Sequence, residues 1–443
     1  MRKQIWLSGA LLAILFWLMP RAKASEIGGG GLNPNLQTNA KAIEKWQDAR
    51  FGLSVHWGPV ALRGMEIGWS RSDQIPTEEY DLLYKEFNPV LFDAKEWIQL
   101  VKDSGFRYVT FVSKHHDGFV MWHTKQTDYN ISNTPFHRDW LKELADECRR
   151  QGVTFGIYYS ILDFYQYDYS PYGHGGPGFI LDRKPDFDGY VDYMKNMLKE
   201  LIQDYGSEII LFDGEWDPTW NHTRGSDLYR FLRGVRDDIV ISSRVDKGRY
   251  GEGTTENQLW WDHDKYAGDY QEREQYIGGF ASYPWESWIT LGDQWAWKAN
   301  DKYKSADDCI RLLVRSAGGN GNFNLNVTPM PDGRFEQRQK DILLKIGAWL
   351  KASGESIYST RGGPFEPGQW GASTNHDSKV YLHILSWPRE TLRLPPVKQT
   401  FKSARRLNGG EIQWKQTDSG LEISLPATQR DALDTIIELT VEK

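Results

Sequence analysis

Ile209-Ile210-Leu211-Phe212-Asp213-Gly214-Glu215 sets four apolar residues directly before an acid, a glycine and a second acid. A strand with no polar face is covered on both sides, and such strands belong to parallel sheets held between helices. The same form recurs in FGLSVHWG (51–58), YVTFVSKHH (108–116), TFGIYYS (154–160), DIVISSR (238–244) and GNFNLNVTP (321–329). Amphipathic segments separate these runs: DAKEWIQLVKDSG, DWLKELADECRRQG, DGYVDYMKNMLKELIQDYG, SDLYRFLRGVRDD and SADDCIRLLVRSAGG. In the first of them Asp93 and Glu96 stand at capping-box spacing and Gly105 supplies the stop. Repeated βα units over residues 45–354 predict an α/β fold, a (β/α)8-like TIM barrel. The alternative, an open doubly wound sheet, is disfavoured because no G-x-G-x-x-G turn follows the first strand.

Past Gly354 the helical period stops. KVYLHILSW, SARRLNG, EIQWKQT, GLEISLP and DTIIELTVE are short alternating strands, so residues 355–443 predict a C-terminal antiparallel β-sandwich. At the other end, Arg2 and Lys3 precede an apolar stretch from Ile5 to Leu18 and the small-x-small triplet Ala22-Lys23-Ala24. Residues 1–24 therefore read as an export signal, with residues 25–44 a linker, and the chain is expected to be periplasmic or secreted. Loss of Arg2, Lys3, Arg21 and Lys23, four cations and no acid, moves the formal charge from -7 to -11. An acidic body argues against nucleic acid or an anionic membrane as partner, and no later run has the length of a membrane span. Cys148 and Cys309, both inside helix-like segments, predict two buried thiols and not a disulfide framework. Aromatic residues make up 14% of the chain, with 20 Trp. Flat apolar faces with a polar tip suit sugar C–H faces, although tryptophan also fills cores.

In a barrel, reacting groups stand at the C-terminal ends of strands. The polar clusters there are His56-Trp57-Gly58, Lys114-His115-His116-Asp117-Gly118, Tyr158-Tyr159, Asp213-Gly214-Glu215-Trp216 and Arg244. Neighbouring strand residues face opposite ways, so His115 and His116 are expected not to share a metal. Neutral imidazoles that donate and accept hydrogen bonds to a polyhydroxylated substrate are the preferred reading, with no metal and no cofactor. Asp213 at a strand mouth, kept ionised by Arg244, suits a nucleophile. A proton donor needs a drier setting, and the candidates are Glu215, Glu252, Glu256, Glu272, Glu274 and Glu286. Of these Glu286 is enclosed by Trp285 and Trp288.

Six motifs in order carry a resemblance over nearly the whole chain: KWQDARFGLSVHWG, FNPVLFDAKEWIQLVKDSGFRYVTFVSKHHDGF, TFGIYYS, LFDGEW, WESWITLGDQWAW and GGNGNFNLNVTPMPDGRF. With them the chain resembles the α-L-fucosidases of glycoside hydrolase family 29. That resemblance implies a barrel with a β-sandwich tail, no metal, a glycan substrate and retention through a covalent glycosyl-enzyme. It makes Asp213 the nucleophile and Glu286 the acid/base. His56, His115 and His116 become hydroxyl-binding residues, Tyr159 the tyrosine near the nucleophile, Arg244 its cation, and Trp295 the aromatic against the C5 methyl of the sugar. The family's Glu-Trp pair after the first strand reads Glu66-Ile67-Gly68-Trp69 here, so either Glu66 bulges back to the sugar or its contact is lost. Leu211 and Ser242-Ser243-Arg244 also depart from the family pattern. The altered shell keeps α-L-galactose in play beside α-L-fucose, and a non-catalytic sugar-binding barrel is the alternative of a different class.

Overall fold

The computed structural model describes residues 38–169, 184–247 and 265–442. The expected export signal, Glu252 and Glu256 lie outside them. Eight parallel strands form the first sheet: β1 (Phe51–Val55), β2 (Tyr108–Lys114), β3 (Thr154–Ser160), β4 (Ile209–Asp213), β5 (Val240–Ile241), β6 (Gln271–Glu274), β7 (Trp285–Thr290) and β8 (Asn322–Val327). Their order is β5-β4-β3-β2-β1-β8-β7-β6. A single parallel bridge, Ser242 to Tyr270, joins β5 to β6 across the remaining seam. The sheet therefore curls into the expected TIM-like barrel. All five residues of β4 are buried, as a strand covered on both faces requires.

Helices α1 (Ala40–Ala49), α2 (Thr77–Tyr80), α3 (Ala94–Asp103), α4 (Trp140–Gln151), α5 (Phe187–Gln203), α6 (His222–Val235), α7 (Ala306–Gly318) and α8 (Gln337–Ser353) accompany the strands. Asp93 caps α3 by accepting from the Glu96 amide, and Gly105 follows at φ +87°. The expected linker over residues 25–44 is corrected at its end, because α1 starts at Ala40. Its Trp46 stacks on Tyr270 (centroids 4.4 Å) and packs with Tyr108, Ile209 and Val240, so α1 closes the floor of the barrel. Its apolar spacing, Ile43 with Trp46, carries that face.

Beyond α8 the chain forms a five-stranded sheet and a three-stranded sheet, both antiparallel. Their strands are β9 (Arg361–Gly362), β10 (Gly371–His376), β11 (Lys379–Ile384), β12 (Thr391–Leu394), β13 (Phe401–Arg406), β14 (Gln413–Thr417), β15 (Gly420–Ser424) and β16 (Thr435–Val441). Val380, Leu382, Leu392, Ile423, Ile437 and Leu439 fill the space between the sheets. The sandwich is tied to α7, whose Arg311 and Arg315 donate to the carbonyls of Leu385 and Gly368. Buried Arg50 donates to the carbonyls of Gly321 and Thr360, joining the barrel floor to the connection. Cys148 and Cys309 are both free and buried. Among the described residues no helix is long and apolar enough to cross a membrane.

Candidate active site

Paired strands in a sheet point matching residues to the same side, so register decides which side chains enter the barrel. Leu211 and Asp213 point inward on β4, and Tyr158 pairs with Leu211. Gly214 turns the chain out at φ +93°, where a Cβ would lie 2.6 Å from the Leu162 side chain. Asp213 thus stands at the mouth. Its Oδ2 accepts from the Tyr158 hydroxyl at 2.7 Å and its Oδ1 from the Gly214 amide at 2.9 Å. The Arg244 guanidinium, in the turn after β5, makes a close ion pair with the same carboxylate. Tyr159, one residue on, pairs with Phe212 and faces the helices, its hydroxyl against the Met197 sulfur at 3.3 Å. The tyrosine beside the carboxylate is therefore Tyr158, and the expectation for Tyr159 is corrected.

Arg244 is fully buried and holds more than one acid. Besides Asp213 it contacts Glu274 through its other terminal nitrogen, Glu272 at 3.0 Å and Glu215 at 3.9 Å. Burial raises Glu215 to about 8 and Glu272 well above the usual carboxylate range, against the lowering pull of Arg244. Glu274 is different in exposure: it ends β6 at the mouth with its side chain about a third exposed. Two carboxylates on the two ends of one guanidinium fork are held close together across the mouth.

Glu286 stands elsewhere. The segment Trp285–Thr290 is not a loop folded over the mouth but strand β7, and Glu286 is its second residue, paired with Glu272 and Asn322. Its Oε1 accepts from the Tyr108 hydroxyl at 2.5 Å, and Tyr108 is the first residue of β2. Glu286 thus lies low in the barrel, above the Trp46 plug, and burial raises it to about 7. Its enclosure by Trp285 and Trp288 and the family resemblance both pointed to Glu286, and that enclosure is found low in the barrel and not at the mouth. Two residues farther along β6 than Glu272, Glu274 pairs with Trp288 and reaches the mouth instead.

The three histidines meet around Asp213. His115 and His116 follow the end of β2 in a turn, so strand alternation does not separate them as expected. His116 Nδ1 lies 2.6 Å from the Ser160 hydroxyl, which leaves its Nε2 3.5 Å from Asp213. His115 lies parallel to the Tyr158 ring, with centroids 5.2 Å apart. His56 Nδ1 is 2.7 Å from the amide oxygen of Asn326, whose nitrogen donates to the Trp295 carbonyl. Burial, first among the causes, lowers His56 and His116 to about 4 and His115 well below its ordinary value, so all three are neutral near pH 7. Asp117 accepts from Tyr80, whose oxygen accepts from the Gly68 amide, and this fixes the histidine turn against the loop after β1.

In that loop Glu66 accepts from the amides of Ile67, Trp295 and Ala296. Through these bonds Glu66 braces the Trp295 loop against the loop after β1. Gly68, at φ +72°, leaves room for His115, since a Cβ would sit 2.7 Å from its Nδ1. Trp69 then lies at the rim, edge-on to His116 at 4.8 Å. Trp295 packs on Trp288 (4.4 Å) and His56 (5.0 Å), next to Val112 and Leu211.

His115, His116 and Asp213 bring one ligand atom each within 4.8 Å of one another. The Asp213 oxygens are already engaged by Arg244, Tyr158 and the Gly214 amide, and a cation there would face the guanidinium charge. Exhaustive dialysis against EDTA is expected to leave activity unchanged. A stoichiometric metal whose removal abolishes activity would contradict this. His116→Ala should cost roughly 1–3 kcal/mol in kcat/KM, read by steady-state kinetics, because it strips a buried polar partner from the carboxylate.

Carboxylates facing one another at the C-terminal mouth of a parallel barrel, among neutral histidines and tryptophans, define a glycoside hydrolase. The model of the α-L-fucosidase family matches residues 31–355, and the chain belongs to that family, glycoside hydrolase family 29. The tissue α-L-fucosidase of Homo sapiens is 26% identical over 91% of this chain and 90% of its own. The solved α-L-fucosidase isoenzyme 1 of Paenibacillus thiaminolyticus is 31% identical, covers 91% of this chain and 99% of its own, and has a TM-score of 0.80. An α-L-fucosidase of Bacteroides thetaiotaomicron, solved as a covalent intermediate trapped with 2-fluoro-fucosyl fluoride, is 25% identical, with TM-score 0.80 over 96% of this chain and 100% of its own.

Proposed function

We propose that the chain releases terminal α-L-fucose from a glycan with net retention, with Asp213 as nucleophile and Glu274 as acid/base. The observation that carries this reading is the single guanidinium of Arg244 gripping both carboxylates at the mouth. Retaining pairs stand about 5–5.5 Å apart, a spacing that one fork can bridge. In the first step an Asp213 oxygen bonds to the anomeric carbon as the C1–O bond to the aglycone breaks, and Glu274 gives its proton to the departing oxygen. In the second, water attacks the same carbon, Glu274 takes its proton, and the bond to Asp213 breaks, releasing the sugar and restoring both carboxyl groups. Arg244 and the Tyr158 hydroxyl orient Asp213 for attack. Neutral His56 and His116 give their Nδ1–H to Asn326 and Ser160, which leaves each an Nε2 that accepts from a sugar hydroxyl, and His115 adds a third imidazole to the polar wall. The covalent intermediate trapped on the Bacteroides relative supports the two-step route. The N-terminal signal pattern supports an exported enzyme.

α-L-Galactose carries one hydroxyl more than α-L-fucose. The apolar group of Val112, Leu211, Trp288 and Trp295 favours the methyl sugar, but an apolar pocket rejects an added hydroxyl by only about a hundredfold. Release of 4-nitrophenol from the aryl α-L-fucoside should therefore exceed that from the aryl α-L-galactoside by about that factor in kcat/KM. A galactoside cleaved as fast or faster would make L-galactose the native sugar. Inertness toward both would return the chain to the reading of a sugar-binding barrel.

A further inference from the structure

Three residues past Asp213, Trp216 stands 36% exposed, and Trp69 is 46% exposed on the loop after β1. Their indoles are nearly parallel, inclined by 21° with centroids 6.4 Å apart. Both meet the same imidazole, His116, edge-on at 5.7 and 4.8 Å, and His116 itself reaches toward Asp213. Trp216 also lies over the Arg244 guanidinium, at 5.9 Å, on the cation that carries Glu274. The two indoles therefore make a contiguous aromatic surface that opens to solvent beside the group assigned to protonate the leaving oxygen. Trp288 and Trp295 lie deeper, against His56.

Contiguous exposed aromatic surface at the rim of a polar site marks a ligand contact more than chance exposure. We propose that Trp216, flanked by Trp69, is the platform for the leaving group and takes a neutral pyranose ring by its C–H face, so that the enzyme prefers fucosyl oligosaccharides to fucosides of small alcohols. This rests on the fucosidase reading above. It deepens that reading by assigning the second sugar a place. A pyranose on Trp216 has its glycosidic oxygen toward Glu274 and its far side toward solvent. Longer glycans thus extend outward from the rim.

The test compares α-L-fucosyl fluoride, which has no sugar to stack, with a panel of α-(1→2), α-(1→3), α-(1→4) and α-(1→6) fucosyl disaccharides. Trp216→Ala should lower kcat/KM for the best disaccharide relative to the fluoride by about tenfold, chiefly through KM, and Trp216→Phe should recover most of the loss. An unchanged ratio, with or without equal losses on both substrates, would overturn the platform. So would a wild-type enzyme that cleaves the fluoride and none of the disaccharides, which leaves the fucosidase reading intact. Inertness toward the fluoride as well would overturn the fucosidase reading and the platform with it.

Discussion

Asp213→Gly is expected to lower turnover of aryl α-L-fucosides by about 10⁴-fold or more, since the covalent route has no second nucleophile and residues acting as a unit fail together. The fold should survive, because the substitution removes one carboxylate at a mouth that Arg244, Glu215, Glu272 and Glu274 continue to organise. Azide or formate, small enough to enter the vacated space, should restore part of the activity. Circular dichroism and thermal melting separate this outcome from misfolding. Near wild-type activity in Asp213→Gly would remove Asp213 from the chemistry.

The second large effect separates two glutamates. Glu274→Ala should reduce cleavage of natural glycans by about 10²–10⁴-fold and that of activated aryl fucosides far less, because a good leaving group departs with little protonation. With the activated substrate, breakdown of the intermediate becomes limiting, and azide should accelerate it without base assistance. Glu286→Ala should show neither the leaving-group dependence nor the azide effect. Its cost should fall on stability, about 1–3 kcal/mol from the buried Tyr108 hydroxyl left without its acceptor, read as a lowered Tm. The reverse pattern, with azide rescue in Glu286→Ala and none in Glu274→Ala, would place the acid/base on β7.

The strands that could be read from sequence were those with four or more consecutive apolar residues or a clear period, such as Ile209–Phe212 and Thr154–Ser160. Strands β6 and β7 were not, because Gln271–Glu274 is QERE and Trp285–Thr290 mixes indoles with polar residues. These strands line a polar barrel interior, so their inward positions carry charge and hydrogen-bonding groups instead of an apolar stripe. Without β6 the choice among the glutamates rested on local hydrophobicity and on the match of Trp285-Glu286 to the family motif, and both favoured Glu286. Knowledge of register would have favoured Glu274. Tyr158 was missed for Tyr159 for a related reason: TFGIYYS offers two adjacent tyrosines, and only pairing with Leu211 tells which one turns inward. Asn326 offered a signal in the alternating Asn322, Asn324 and Asn326, a ladder that donates in turn to Trp46, Thr110 and Trp295. Asp213 was legible because it ends an apolar strand, and Arg244 and the histidines because they stand within three residues of a strand end.

The most direct measurement is to incubate the enzyme with 2-deoxy-2-fluoro-α-L-fucosyl fluoride and map the modified peptide by mass spectrometry, with the anomer first released from fucosyl fluoride followed by proton NMR. The account predicts one fluorofucosyl group per chain, on Asp213, and release of α-L-fucose before mutarotation. A label on any other carboxylate, or first release of the β anomer, would contradict it.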